Sequence, residues 1–195
     1  SGTSVLVDNL PGSIPVVWCE DQFAKIEERI LIREPRRITT PGSGKLVMVI
    51  DGSASLADQQ ERIASMINGD VIAILADDTA KRIDAKGLAG YRFTGGRDNE
   101  PALLDAIRLA KEQGGLPVVW IHGPQSADVT KAERLAQLLE RGTTKTVIHT
   151  IEAAPGPNRL TQTIYRSAIQ KRGPDFSNPE AVSKYLDGIL HGSET

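Results

Sequence analysis

The sequence predicts an α/β fold with a doubly wound, mostly parallel sheet and helices on both faces. The prediction rests on an alternation that begins at Lys45 and continues through most of the remaining chain. Short continuous apolar runs, which are typical of strands buried on both faces, alternate with stretches whose apolar residues recur at helical spacing. Strand–helix alternation of this kind favours parallel strands joined by crossover helices.

Five apolar segments are predicted to be strands. The first segment contains only apolar residues, whereas the third has the weakest strand pattern of the five. A strand buried on both faces needs no polar alternation, so these runs are expected in the interior of the sheet. In chain order, the predicted strands are Leu46–Ile50, Val71–Leu75, Leu88–Phe93, Pro117–Ile121 and Lys145–Ile151.

Five helices are predicted between and after these strands. Thr130 followed by Glu133 fits a capping box, and Asn178-Pro179 is a typical helix start. Glycine at residues 142 and 173 is expected to end two of the helices. The predicted helices are Leu56–Ile67, Asn99–Lys111, the segment from Thr130 to Gly142, Asn158–Lys171 and a final segment after Asn178.

Residues 1–44 differ from the rest and are predicted to be a short β segment followed by a linker. Segments rich in Val, Ile and Leu at Ser4–Asp8, Ile14–Glu20 and Lys25–Arg33 are separated by turn-forming residues, which favours short strands or a hairpin. We expect this segment to be the end of a preceding domain or strands added to the edge of the sheet. Residues 45–195 are then expected to form the α/β domain.

Composition excludes several classes of function. The 23 Lys and Arg residues are balanced by 25 Asp and Glu residues, and aromatic residues make up only 4% of the chain. Neither a basic field nor a base-stacking surface is therefore expected, which argues against nucleic-acid binding. No apolar run approaches the ~18 residues of a membrane span, so no direct membrane insertion is expected. The single cysteine, Cys19, rules out an intramolecular disulfide and is predicted to be a buried thiol.

One loop carries the main functional signal. Open parallel sheets bind ligands at the carboxyl ends of their strands, and the first predicted strand ends in Asp51-Gly52-Ser53-Ala54-Ser55. Side chains two residues apart point the same way in an extended loop. The carboxylate of Asp51 and the hydroxyls of Ser53 and Ser55 are therefore expected to converge. Hard divalent cations prefer oxygen ligands of this kind.

This Asp-x-Ser-x-Ser sequence resembles the metal-ion-dependent adhesion site (MIDAS) of von Willebrand factor A-type (VWA) domains. A Gly-Gly loop at Thr94–Leu103 and a later strand end at Val118–Gly123 stand where that family has its other two site loops. The resemblance covers roughly residues 45–155 and implies a VWA, Rossmann-like fold. It also implies a Mg²⁺ ion, or Mn²⁺ or Ca²⁺ in its place, and a protein partner whose acidic side chain fills an open coordination position.

The expected function is thus protein–protein interaction or adhesion, not catalysis. The segment before Lys45, together with the forms Gly-Gly-Arg-Asp-Asn and His-Gly-Pro-Gln, resembles bacterial proteins in which a VIT domain precedes the VWA domain. Those proteins are often large and membrane-associated. If this chain is part of such a protein, the resemblance implies a location at the bacterial envelope, although the sequence itself indicates no compartment.

Two positions depart from the VWA pattern. Arg97 stands where the family usually has Thr, and His122 stands where it usually has Asp. In one arrangement Asp98 supplies the missing metal ligand, and Arg97, Asn99 and His122 lie at the periphery of the site. In the other, the guanidinium of Arg97 pairs with Asp51 and replaces the cation.

Other roles compete with metal binding. Ser53 and Ser55 can cap the helix near residue 56, and Asp98 or Asn99 can cap the next one. The domain would then be a metal-free structural scaffold. The acidic pair at residues 77 and 78 is expected to be a solvated turn.

A serine hydrolase is a further alternative. It would use Ser53 or Ser55 with His122 or His149, and Asp51 would orient the histidine. The Gly-x-Ser-x-Gly motif of a nucleophile elbow is absent, so the sequence gives this alternative no support from spacing.

Overall fold

The chain divides into two compact units, residues 1–40 with 194–195, and residues 41–193. A computed structural model describes residues 16–20, 29–33, 39–125, 133–135, 137, 147–167 and 169–194. In the first unit, β1 (Val16–Glu20) and β2 (Arg29–Arg33) form an antiparallel pair. The strand predicted at residues 4–8 lies outside the described residues. Short strands β3 (Thr39–Pro41) and β10 (Gly192–Glu194) are the elements nearest the unit boundary in sequence.

The second unit is built on a six-stranded sheet. Its strands are β4 (Leu46–Asp51), β5 (Val71–Ala76), β6 (Ala80–Arg82), β7 (Val118–His122), β8 (Val147–Glu152) and β9 (Ile169–Arg172). The strand order is β6-β5-β4-β7-β8-β9, and only β6 runs antiparallel to its neighbour. Strand β4 is therefore central, with β5 on one side and the later strand β7 on the other. Open sheets bind ligands at the carboxyl end of a strand where the strand order reverses in this way.

Helices pack around this sheet. They are a 3-10 helix (Ala54–Gln59), α1 (Gln60–Ser65), α2 (Ala85–Ala89), α3 (Glu100–Glu112), α4 (Arg159–Ser167) and α5 (Pro179–His191). Residues 133–135 and 137 are also helical, although most of the helix predicted from Thr130 to Gly142 lies outside the described residues. Among the residues described, none of the helices has the length and apolar character needed to cross a bilayer.

Two separate apolar clusters form on the two faces of the sheet. On one face, Leu46, Met48 and Ile50 of β4 pack with residues of α1 and α5. On the other face, the alternate residues Val47 and Val49 pack with residues of α3 and α4. All six residues of β4 are buried, as the continuous apolar run predicted. The predicted fold class, a doubly wound and mostly parallel sheet with helices on both faces, is confirmed.

Two predicted elements are wrong. The segment Leu88–Phe93 is not a strand, because α2 occupies residues 85–89 and is capped by the side chain of Asp84, which accepts a hydrogen bond from Gly87 N at 2.6 Å. The predicted helix Asn158–Lys171 ends at Ser167, and the chain then enters β9. Strand β9 lies at an edge of the sheet, where a strand does not require the continuous apolar run of an interior one.

Candidate functional site

The three oxygen-bearing side chains of the Asp51 loop lie close together at the end of β4. Asp51 is fully buried and Ser53 nearly so. Both the backbone N–H and the hydroxyl of Ser53 donate to Asp51 Oδ1, at 3.0 and 2.5 Å. Ser55 is exposed, and a Cβ atom built on Gly123 would lie 2.6 Å from Ser55 Oγ and 3.4 Å from Asp51 Oδ2. Ser53 therefore meets Asp51 directly, and the Ser55 hydroxyl lies on the Gly123 side of the same carboxylate.

The Asp51 carboxylate is surrounded by neutral hydrogen-bond donors from other loops as well. Asn99 Nδ2 donates to Oδ1 at 2.9 Å. Gly123 N and Gln125 Nε2 donate to Oδ2 at 3.1 and 3.3 Å. Together with the two donors of Ser53, five hydrogen bonds meet on one buried carboxylate. A buried charge is tolerated when it is hydrogen-bonded in this way. The five bonds also connect three loops: the loop after β4, the loop before α3 and the loop after β7.

Asn99 lies inside the site and not at its periphery. Its side chain is fully buried, and besides donating to Asp51 it accepts a hydrogen bond from Trp120 Nε1 at 3.0 Å. Its backbone N–H donates to Gln125 Oε1 at 3.1 Å. Asn99 is the N-cap residue of α3, but its side chain makes no capping hydrogen bond. The amide therefore connects the carboxylate to the core beneath it.

Arg97 turns toward the β5–β6 turn. Its guanidinium Nε lies 3.1 Å from Asp77 Oδ1, and Nη1 lies 2.8 Å from Asp78 Oδ2. The pairing of Arg97 with Asp51 that the sequence left open is thus not the arrangement seen. Its backbone N–H instead donates to Ser53 Oγ at 2.9 Å. The acidic pair at residues 77 and 78 holds Arg97, whereas a solvated turn was predicted.

These ion pairs shift the ionisation of the acidic turn. A hydrogen bond from Lys81, then one from Tyr91 and then the nearby charge of Arg97 hold the pKa of Asp77 below its usual value. For Asp78, the backbone N–H of Asp98 and then the Arg97 side chain lower the pKa. The loop before α3 is therefore attached to the turn after β5 by charge-assisted hydrogen bonds.

Asp98 and His122 each have protein partners in this structure. Asp98 Oδ1 accepts a hydrogen bond from Glu100 N at 3.1 Å, which is a capping role at the start of α3. His122 is buried, its ring lies 4.3 Å from that of Trp120, and its Nδ1 lies 3.2 Å from Gly123 O. Burial lowers the pKa of His122, so the imidazole is neutral at neutral pH. His122 thus forms part of the wall beside the Asp51 loop.

The described donor set does not fit a divalent cation. Mg²⁺ is usually held by one or two carboxylates with waters. Both oxygens of Asp51 already accept protein hydrogen bonds, and Asp98 caps α3. The Ser53 hydroxyl likewise donates to Asp51 and accepts from the backbone N–H of Arg97, so the Ser55 hydroxyl is what remains of the predicted ligand set. Across the described part of the chain, no group of three or more His, Cys, Asp or Glu residues is arranged to hold a metal. Metal binding at Asp51, Ser53, Ser55 and Asp98 stays a prediction of the resemblance.

A cleft of about 720 Å³ opens next to His122, at the carboxyl ends of β7, β8 and β9. We call it the α4 cleft, because the first turn of α4 forms one wall. Its lining includes His122, Glu152, Asn158, Thr161, Arg172 and Asp175. Of these, the sequence analysis identified only His122. Glu152 and Arg172 are brought to this edge by the pairing of β7, β8 and β9, whereas Asn158 and Thr161 come from the start of α4.

Comparison with known proteins gives a likeness of fold. No protein-family profile matches the sequence, and no curated protein matches it. Among solved structures, a von Willebrand factor type A protein from Catenulispora acidiphila is similar with a TM-score of 0.52 and 10% identity over 90% of this chain. The chain spans 44% of that protein. A D319A mutant of the PilB minor pilin from Streptococcus sanguinis gives a TM-score of 0.51 and 10% identity, covering 91% of this chain and 74% of the pilin. The sheet order, the helices on both faces and these neighbours together show that the chain has a VWA-like fold.

Proposed function

We propose that this chain is a protein-binding module that contacts its partner through the carboxyl edge of the sheet, without a resident metal ion. The observation that carries the proposal is the set of five hydrogen bonds to the Asp51 carboxylate. These bonds fix three loops at the edge where open α/β sheets bind ligands. A binding surface that is held in place before the partner arrives loses less conformational freedom on association.

Site-specific photocrosslinking in the cells that naturally produce the chain tests this proposal. A photoreactive residue placed at Ser55, which is exposed beside Asp51, is expected to capture a discrete partner protein. The matched control places the same residue at Asp70, which is exposed just before β5 and therefore at the amino edge of the sheet. Equal capture at both positions, or capture at Asp70 alone, would contradict binding through the carboxyl edge.

A metal-dependent binding module is the second candidate, because Ser53 contacts Asp51 and the Ser55 hydroxyl lies on the Gly123 side of the same carboxylate. Calorimetric titration of Mg²⁺ and Mn²⁺ into chelator-treated protein separates the two candidates. The metal-free proposal predicts no stoichiometric heat. Binding of one ion that is lost in Ser55→Ala but kept in Ser65→Ala, which removes another exposed hydroxyl, would favour the metal-dependent candidate.

We favour binding over hydrolysis because the Ser53 hydroxyl and the His149 ring each have another partner. The Ser53 hydroxyl donates to Asp51 and accepts from the backbone N–H of Arg97. His149 Nδ1 lies 2.7 Å from the hydroxyl of Tyr185, on the part of β8 away from the Asp51 loop. A serine nucleophile requires a histidine within hydrogen-bond reach. Esterase activity that disappears in Ser53→Ala would overturn this assignment.

A further inference from the structure

We propose that Asn68 is a site of spontaneous chemical modification, at which the side-chain amide is lost and an aspartate or an isoaspartate takes its place. Asn68 lies in the short connection between α1, which ends at Ser65, and β5, which begins at Val71. The inference is independent of the proposed function, because it concerns the amino edge of the sheet. Three features carry it, which are the residue after Asn68, the hydrogen bonds of the turn, and the exposure of both residues.

The residue after Asn68 is Gly69, whose backbone nitrogen is the attacking group in this reaction. Glycine has no Cβ, so its nitrogen approaches the preceding side chain with less hindrance than that of any other residue. A Cβ atom built on Gly69 would have nothing within 4 Å, so the rest of the fold does not crowd this position. Within the described part of the chain, the Gly69 N–H donates no hydrogen bond that would first have to break.

The turn also polarises the group that is attacked, the side-chain carbonyl of Asn68. Asp70 N donates to Asn68 Oδ1 at 2.9 Å. A donor held at this oxygen stabilises the negative charge that develops on it when Cγ is attacked. Both Asn68 and Gly69 are exposed, so water reaches the reacting atoms and the leaving group escapes into solvent.

The reaction consists of a ring closure and a ring opening. Gly69 N loses its proton to solvent and forms a bond to Cγ of Asn68, while the bond from Cγ to Nδ2 breaks and Nδ2 takes up a proton and leaves as ammonia. Water then opens the succinimide ring. Addition of water at Cγ leaves an aspartate, whereas addition at the main-chain carbonyl carbon of residue 68 leaves an isoaspartate. Water is consumed, ammonia is released, and nothing is oxidised or reduced.

The other asparagines that the structure describes lack this combination of features. Asn178 is followed by proline, which has no N–H to attack with. Both polar atoms of the Asn158 side chain are hydrogen-bonded to the backbone. Asn99 is fully buried. The geometry therefore favours Asn68 over each of these residues, and they serve as internal controls.

An isoaspartate at position 68 would disturb the start of the sheet. Asp70 O accepts a hydrogen bond from Leu46 N at 3.0 Å, and Leu46 is the register partner of Val71. An isoaspartate adds a methylene group to the main chain just before these residues. Because backbone dimensions are otherwise fixed, the turn and the first bond between β4 and β5 cannot both keep their geometry. Asp51 lies at the other end of β4 and should be affected less.

Peptide mapping by mass spectrometry, after incubation of the folded chain in mildly alkaline buffer, tests the proposal. We expect residue 68 to gain the mass that accompanies replacement of an amide by a carboxyl group. Labelling with an isoaspartyl methyltransferase should locate isoaspartate at the same residue. Asn99, Asn158 and Asn178 should stay unmodified over the same period. A chain that keeps the amide of Asn68, or that loses the amide of Asn158 equally fast, would overturn the proposal.

A pair of glycine variants identifies the attacking nitrogen. Gly69→Ala should slow the reaction severalfold while the chain stays folded, because the added methyl group meets open space in the fold but hinders the attack. Gly90→Ala adds the same group at an exposed glycine that does not follow asparagine, and it should leave the rate unchanged. Equal rates in the two variants would exclude Gly69 N as the attacking group.

Hydrogen exchange tests the effect on the sheet. The isoaspartate fraction, separated by ion-exchange chromatography, should exchange the amide of Leu46 faster than the unmodified chain does. Asn68→Asp adds the negative charge without the extra methylene group, so it should keep the slow exchange at Leu46. If Asn68→Asp accelerated this exchange as much as isoaspartate does, the altered main chain would not be the cause.

Discussion

The amide nitrogen of Asn99 lies 2.9 Å from Oδ1 of Asp51, and the amide oxygen of Asn99 accepts a hydrogen bond from the indole of Trp120. One buried side chain therefore joins the carboxylate of the candidate site to a large residue of the core. The position of the site loops depends on the packing beneath them, and substitutions at this junction are expected to affect stability and binding together.

Replacing Asn99 by Leu tests that junction. The variant leaves Asp51 with one donor fewer and the Trp120 N–H without its acceptor, both in a buried environment. We expect the free energy of unfolding to fall by about 2–4 kcal/mol, measured by urea denaturation. Gln113→Leu, at an exposed position after α3, is the control and should change stability by less than about 0.5 kcal/mol. A loss for Asn99→Leu as small as the control would contradict the role of this amide.

A Cβ atom at Gly123 is predicted to disturb the Asp51 loop. It would lie 2.6 Å from Ser55 Oγ and 3.1 Å from the side chain of Leu56. Gly123→Ala should therefore cost about 1–3 kcal/mol of stability, as overpacking usually does.

Gly69→Ala is the matched control, because nothing lies within 4 Å of the added atom there and the backbone needs no left-handed conformation. That change should be neutral or stabilise the protein by up to about 1 kcal/mol. Thermal melts of the two variants check the difference. A Gly123→Ala protein as stable as Gly69→Ala would show that Ser55 moves aside without cost.

The attachment of Arg97 to the acidic turn predicts a dependence on low pH. The pKa values of Asp77 and Asp78 are lowered in the folded chain. Carboxylates of this kind stabilise the fold above their unfolded pKa of about 3.9 and lose that contribution as pH falls through the lowered folded value. Arg97→Gln should therefore destabilise the chain modestly near pH 7, and the difference from wild type should shrink below about pH 4. Denaturation curves at both pH values measure it, and a difference that grows in acid would contradict the ion pairs.

His122 predicts a second pH effect at a higher range. Because burial lowers its folded pKa, the unfolded chain binds a proton more readily than the folded one. Stability should decline as pH falls below the unfolded pKa of about 6.5, with a slope of at most about 1.4 kcal/mol per pH unit for one proton. His122→Asn should remove this slope between pH 7 and 5, whereas His191→Gln, which changes an exposed residue, should keep it. If the pH dependence of stability were unchanged in His122→Asn, a group other than His122 would be responsible for it.

The sequence was informative where the interactions are local. The apolar run of β4 and the alternating oxygens of Asp51, Ser53 and Ser55 both follow from neighbouring residues, and the structure shows the strand and the hydrogen bond of Ser53 with Asp51. The direction of Arg97 could not be obtained in this way. Its partners, Asp77 and Asp78, follow strand β5, which is far from Arg97 in sequence. Both alternatives for Arg97 considered only the Asp51 loop and the loop that carries Arg97.

Long-range packing explains the other differences. Asn99 looks like a cap or a surface residue because asparagine is common in both places, and only the position of Trp120 beneath it makes it an interior bridge. Gln125 contacts Asp51 from across two loops. Arg172 lies beside Thr150 at the α4 cleft because β8 and β9 pair in parallel. None of these relationships leaves a periodic or spaced pattern in the chain.

Strand β4 has a consequence for how the chain acquires its structure. All six of its residues are buried, and its hydrogen-bonded neighbours include β7, whose residues come much later in the sequence, as in the pairing of Val47 with Val118. During synthesis this apolar strand emerges long before it can be covered on that side. Non-local parallel pairing is slow, and the exposed strand is prone to associate with other chains in the meantime. Fragments that end before residue 118 should therefore aggregate when produced alone, because they lack β7 and leave one side of β4 unpaired.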